Sequence, residues 1–211
     1  MKHILIYSDS LTWGIIPNTR KRLEFAKCWP GVFEHTLNIA GHNVRVHENC
    51  LNGRRTVWSD PFKEGRDGSK GLAQVIEMHS PLGLVILMLG HNDFQCTHDN
   101  SVFLSAQGMA KLIDTIRKAP IEPNMPIPEI MVIAPPLIKN PKGPVANKFL
   151  GAEKRGAGIN LELAKIAKLN DTHFFDSNTV IQANKEDGIH LDARQHAILG
   201  KAVAEAVSVI L

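Results

Sequence analysis

The run Leu84-Val85-Ile86-Leu87-Met88-Leu89 constrains the fold more than any other stretch of this chain. A short segment that is apolar at every position reads as a strand covered on both faces, and such strands belong to parallel sheets packed between helices. Four further runs fit beside it. His3-Ile4-Leu5-Ile6-Tyr7 ends in the polar turn Ser8-Asp9-Ser10, and Ile130-Met131-Val132-Ile133-Ala134 is stopped by Pro135-Pro136. Asn43 to His47 alternates in period two, and Thr172 to Asp176 completes the set. Helical patterns fill the gaps: Trp29 to Ala40 with Gly41 as its stop, a short helix over Gln74 to His79, and Ser101 to Ala119. Asn160 to Lys168 and Asp192 to Leu211 follow, the last with Asp192 as N-cap. Strands joined by single helices run parallel with right-handed crossovers. The expectation is a three-layer α/β/α sandwich around a five-stranded parallel sheet.

Composition removes whole classes of function. With 24 basic and 21 acidic residues scattered along 211, the net charge of +3 forms no stripe for a phosphate backbone, so no nucleic-acid partner is expected. No run of 18 apolar residues exists, so no membrane partner is expected either. Cys28, Cys50 and Cys96 cannot all pair and show no CxxC spacing, which argues against a disulfide framework and for the reducing cytoplasm. The length suits one domain, or one and a small appendage. Two stretches, Asn52 to Gly71 and Pro136 to Gly158, follow neither period. Long irregular loops of this kind tend to be lids or walls, and here they are expected to supply the contacts of a homo-oligomer.

Ligands of an open parallel sheet sit beyond the carboxyl ends of its strands. That rule nominates Ser8-Asp9-Ser10, Asn49 to Gly53, Gly90-His91-Asn92-Asp93, Pro135-Pro136 and Asp176, with Asp187-Gly188-Ile189-His190 close by before the last helix. Together they offer a hydroxyl, an imidazole, a carboxylate, an amide and a glycine backbone, the parts of an acyl-transfer site. A serine needs a base to become a nucleophile, and His190 is the natural base for Ser10. Asp187, three residues earlier, can curl back to accept the other ring N–H.

These blocks, in this order, resemble the SGNH (or GDSL) hydrolase family. Ser8-Asp9-Ser10-Leu11-Thr12-Trp13-Gly14, Gly53, Gly90-His91-Asn92-Asp93 and Asp187-Gly188-Ile189-His190 stand for its four motifs, and the Leu-Thr-Trp-Gly and Asp-Gly-Ile-His-Leu extensions resemble its arylesterase and acyltransferase branch. The resemblance implies a single domain over residues 1–211, flavodoxin-like, with strand order 2-1-3-4-5. It implies a serine esterase acting on short-chain acetyl or aryl esters through an acyl-enzyme, with acyl transfer as a further activity. The small-molecule ester is then the partner, and no cofactor or metal is needed. By resemblance, Ser10, Asp187 and His190 are catalytic, and the oxyanion donors are the backbone N–H groups of Ser10 and Gly53 and the side-chain amide of Asn92.

Trp13 is expected to wall the acyl pocket, and His91, where the family carries a small residue, to stand near the mouth and bind substrate. Ser8 replaces the family's glycine, which would strain the backbone if that position needs positive φ. Asp9 and Asp93 are expected to bond backbone amides, and Arg54-Arg55 to form a solvated or ion-paired loop. Trp58 and Phe62 either line the entrance or anchor their loop. Two other readings stay open: a catalytically inactive scaffold of the same fold, and a flavodoxin-like module whose Ser8, Ser10 and Thr12 hydroxyls cradle a phosphate.

Overall fold

The computed structural model describes residues 1–211. Five parallel strands form one sheet: β1 (Lys2–Ser8), β2 (Val44–Cys50), β3 (Leu84–Met88), β4 (Glu129–Ala134) and β5 (His173–Asp176). Their order is β2-β1-β3-β4-β5, so the expected topology is the observed one. β2 runs three residues past His47, because its second half carries half-buried polar residues that break the alternation.

Side-chain alternation along the strands feeds two separate cores. Leu5, Tyr7, Val85, Leu87 and Val132 face one side and pack with Leu72, Ile76, Met109, Leu112, Ile113 and Leu163. These come from α3 (Leu72–His79), α4 (Val102–Arg117) and α6 (Ile159–Leu169); of the two single-turn helices, α5 (Ala152–Arg155) adds Ala152 to this core and α1 (Ser10–Trp13) adds Leu11 to the other. Ile4, Ile6, Ile86, Met88 and Ile133 face the other side, against Trp29, Phe33 and Leu37 of α2 (Trp29–Ile39) and Leu199, Val203 and Val207 of α7 (Ala193–Ser208). Each fully buried aliphatic or aromatic side chain contributes about 1.5–3 kcal/mol, and the sheet is covered on both faces.

Helix ends follow local chemistry. Ser101 caps α4 by accepting from Leu104 N at 3.3 Å, and Asp192 and Gln195 form a reciprocal capping box at the start of α7. The first amide of α2 finds an unusual acceptor, since Trp29 N donates to the buried His196 Nδ1 of α7 at 3.1 Å. The last of these bonds ties the start of α2 to α7. Ser8 of β1 pairs in register with both Cys50 and Met88, which brings the loops after β1, β2 and β3 to a common level. No helix is long and apolar enough to cross a membrane.

Candidate active site

Ser10 begins α1 directly after β1, and Asp9 is the N-cap: its Oδ1 accepts from Leu11 N at 2.9 Å. Gly14, with φ +85°, ends the helix after one turn. Ser10 is thereby held at the sheet edge, 8% exposed. The segment 187–190 folds over the same edge as a turn tied by its own aspartate. Asp187 Oδ1 accepts from Ile189 N and His190 N, both at 2.9 Å, and Oδ2 accepts from His190 Nδ1 at 2.7 Å. Gly188 makes that turn possible, because its φ is +74° and a Cβ there would lie 2.0 Å from Lys139 O.

His190 Nε2 lies 3.2 Å from Ser10 Oγ. The structure thus brings together three residues separated by as many as 180 positions in sequence. Burial works to raise the Asp187 carboxyl, but the bonds and charge of His190 and the two backbone N–H groups outweigh it and hold it below the usual range. An ionised Asp187 can only accept, so His190 Nδ1 carries the hydrogen and Nε2 presents its lone pair to the Ser10 hydroxyl. That is the tautomer a general base requires.

Three donors stand unused around this dyad. The N–H of Ser10, as the first residue of α1, and the N–H of Gly53, at φ +86°, have no acceptor within the protein. Asn92 Nδ2 gives one hydrogen to Asp9 Oδ2 at 2.8 Å and keeps the second free. Gln95 Nε2 donates to Asn92 Oδ1 at 2.5 Å, which fixes the amide's orientation. Asp9 therefore does more than bond a backbone amide: it joins the nucleophile turn to Asn92. Burial pushes the Asp9 carboxyl up to about 6, against Leu11 N, the His190 charge and Asn92. Asp93 bonds a backbone amide as expected, and two hydroxyls besides: Thr56 N at 2.9 Å, Thr56 Oγ1 at 2.7 Å and Ser105 Oγ at 2.6 Å.

Several expectations are corrected. Ser8 is an ordinary strand residue with negative φ, so its Cβ causes no backbone strain. Its hydroxyl donates to Met88 O at 2.6 Å and accepts from Thr12 Oγ1 at 2.6 Å. With both hydroxyls buried and occupied, no phosphate cradle exists there, and the flavodoxin-like reading loses its ligand site. His91 is not at the mouth. It is 2% exposed, its Nε2 donates to the Pro136 carbonyl, and burial pushes its pKa down to about 4. Trp13 carries the Arg22 guanidinium over its ring at 4.9 Å.

A cleft of about 30 Å³ beside His190 and Asp187 is lined by Ile15, Asn18, Thr19, Arg20, Pro144 and Val145, none of which the motifs or periodicities single out. Of the two states expected for Arg54 and Arg55, solvated or ion-paired, neither residue is solvated and Arg55 is ion-paired; both are buried. Arg54 donates to Ser8 O at 3.0 Å and lies 3.8 Å over the Tyr7 ring, and Arg55 bonds Gln95 Oε1 and Thr97 Oγ1 and pairs with Asp60 at 3.4 Å. Trp58 tilts against His98 at 6.0 Å, while Phe62 is 86% exposed and anchors nothing. A wider hollow of about 820 Å³ between residues 178–186 and the start of α7 contains no nucleophile–base pair.

Comparison with known proteins agrees with this geometry. The model of the GDSL-like lipase/acylhydrolase family matches residues 9–198. An inhibitor-bound aryl esterase of M. smegmatis is 30% identical over 100% of both chains, with a TM-score of 0.94. A carbohydrate acetylesterase from Sinorhizobium meliloti is likewise 30% identical over 100% of both chains, with a TM-score of 0.92. No curated protein sequence matches significantly. A sheet of order 2-1-3-4-5 with a serine, a histidine and an aspartate in hydrogen-bond sequence at its carboxyl edge, and a family model spanning most of the chain, make this protein a carboxylic ester hydrolase belonging to the GDSL-like lipase/acylhydrolase (SGNH) family.

Proposed function

We propose that the protein hydrolyses short-chain carboxylic esters, acetyl esters foremost, with Ser10 as nucleophile. The observation that carries this reading is the chain of contacts Asp187 Oδ2–His190 Nδ1 at 2.7 Å and His190 Nε2–Ser10 Oγ at 3.2 Å. In the first step Ser10 Oγ attacks the ester carbonyl while its proton passes to His190 Nε2. The carbonyl oxygen takes on negative charge beside the N–H groups of Ser10 and Gly53 and the free Asn92 hydrogen. Collapse of that intermediate breaks the bond to the alcohol, which leaves with the proton from His190. Water then attacks the acyl-serine with His190 again as base, releasing the acid and restoring Ser10.

Asp187 holds the imidazole in one orientation and stabilises its protonated form. The preference for short acyl groups rests on likeness to a relative that is 30% identical over both chains and is named a carbohydrate acetylesterase, an enzyme of two-carbon acyl esters.

Ser10→Ala should abolish turnover of 4-nitrophenyl acetate while the protein stays folded, and an organophosphonate should label wild type once, at Ser10. Turnover surviving in Ser10→Ala overturns the assignment. A series of acetate to decanoate esters should peak at the short end, and a maximum at long chains refutes the acyl preference.

A further inference from the structure

The cleft that holds His190 is bordered by positive charge drawn from three separate loops. Arg20, from the segment after α1, lines the cleft itself and has no acidic partner. Arg66, from the loop after β2, packs its side chain against Gly53: a Cβ on that glycine would sit 3.7 Å from Arg66 Cγ and 4.0 Å from Nε. Its guanidinium bonds only backbone carbonyls, those of Asn52 and Glu64. Lys63 stands in the same loop without a counter-ion, and Lys148 comes from the loop after β4.

Of the carboxylates nearby, Asp187 is taken up by His190 and its own turn, Asp60 is shared between the buried Arg55 at 3.4 Å and Lys148 at 4.0 Å, and Glu64 and Asp67 of the same loop form no ion pair with Arg20, Lys63 or Arg66. The cations sense one another. Burial, and then the charges of Arg66 and Arg20, hold the Lys63 ammonium below its ordinary range. For Lys148, burial again comes first, opposed by Asp60 and reinforced by Lys63, Arg55 and Arg20.

We propose that the ester this enzyme prefers carries an anionic group, a carboxylate, sulfonate or phosphate, on its alcohol portion. The inference rests on the esterase reading and deepens it. His190 delivers its proton to the leaving alcohol, so the alcohol portion lies on the His190 side, toward the cleft that Arg20 lines and the charges of Lys63, Arg66 and Lys148 beyond it. An anion there meets Arg20, which has no carboxylate partner, and Arg66, whose guanidinium reaches only backbone carbonyls, whereas a neutral alcohol brings no charge to match theirs. Arg54 and Arg55 take no part, since both are committed within the protein.

The test compares 4-acetoxybenzoate with its neutral methyl ester, two substrates that share the acyl group and the ring. The readout is the ratio of their kcat/KM values, measured in one sample so that losses of folded protein cancel. Raising NaCl from about 20 mM to about 500 mM should lower the ratio at least fivefold, as screening shortens the field to a few ångströms. Arg20→Gln combined with Lys63→Gln should lower it on the order of tenfold at low salt. A ratio indifferent to salt and unchanged in the double variant overturns the proposal while the esterase reading stands. Failure of the wild type to cleave either ester, or 4-nitrophenyl acetate, overturns the esterase reading and this inference with it.

Discussion

Asp9→Asn separates catalysis from stability. Asp9 joins two elements: Oδ1 caps α1 through Leu11 N at 2.9 Å, and Oδ2 accepts from Asn92 Nδ2 at 2.8 Å. Asparagine keeps the cap, because its amide oxygen serves as well as a carboxylate. It then turns an NH₂ group toward the NH₂ group of Asn92. Two donors cannot bond, so the Asn92 amide swings away, breaking the 2.5 Å bond from Gln95 and moving its free hydrogen off the oxyanion position.

Complete loss of one such donor lowers kcat by roughly 10²–10³, so a displaced one should lower it by about 10- to 100-fold. Stability behaves differently. The folded-state pKa of Asp9 is about 6, above the ordinary 3.8, so its contribution is full below pH 4 and falls away as pH rises through 6, by about 3 kcal/mol at neutrality. Asparagine removes that burden, which offsets the ~1–3 kcal/mol lost with a buried hydrogen bond. The assay pairs kcat on 4-nitrophenyl acetate with urea unfolding at pH 7. A fall in kcat of more than tenfold with stability within about 1.5 kcal/mol of wild type is expected. Activity within threefold of wild type refutes the claim that Asp9 positions Asn92.

Three further outcomes follow from the same geometry. Asn92→Ala should reduce kcat by about 10²–10³ with little change in KM, and a loss under tenfold in steady-state kinetics counts against an oxyanion role. Asp187→Asn should cost on the order of 10³–10⁴ in kcat, because an amide that keeps both backbone bonds at Oδ1 faces Nδ1 with hydrogens and forces the wrong tautomer; retained activity sinks that reading. Asp93→Asn should gain about 3 kcal/mol relative to wild type between pH 4 and pH 7, since burial pushes that carboxyl to about 6 and the wild type loses its contribution over this window. Urea midpoints at the two pH values check it. In the wild type the trend is masked, because buried His91 and His196, both pushed down to about 4, lose stability in the opposite direction as pH falls from 6.5.

What was legible in the sequence is what local chemistry dictates. Strand β3 was readable because every one of its residues is buried, and α4 because Ser101 and the spacing of Met109, Leu112, Ile113 and Ile116 act within single turns. Ser10 and His190 were readable because the blocks around them are short and self-contained: Asp9 and Asp187 each tie their own turn through bonds to residues two and three positions on. The cleft wall was not. Ile15, Asn18, Thr19 and Arg20 belong to an aperiodic segment, and Pro144 and Val145 reach them from a loop more than 120 residues away, so neither period nor motif marks them.

Arginine shows the same limit most clearly. Arg54 and Arg55 read as a solvated or ion-paired loop, and beyond the pairing of Arg55 with Asp60 their donors are taken up by Ser8 O, Asn49, Ser59 O, Gln95 and Thr97, acceptors assembled only when the ends of β1 and β2 meet the loop after β3. Arg20 and Arg66, indistinguishable from them in sequence, keep their charge at the cleft because no carboxylate reaches them. Whether an arginine braces the fold or meets the substrate is decided by which acceptors the tertiary structure brings within about 3 Å, and that information sits in no single stretch of the chain.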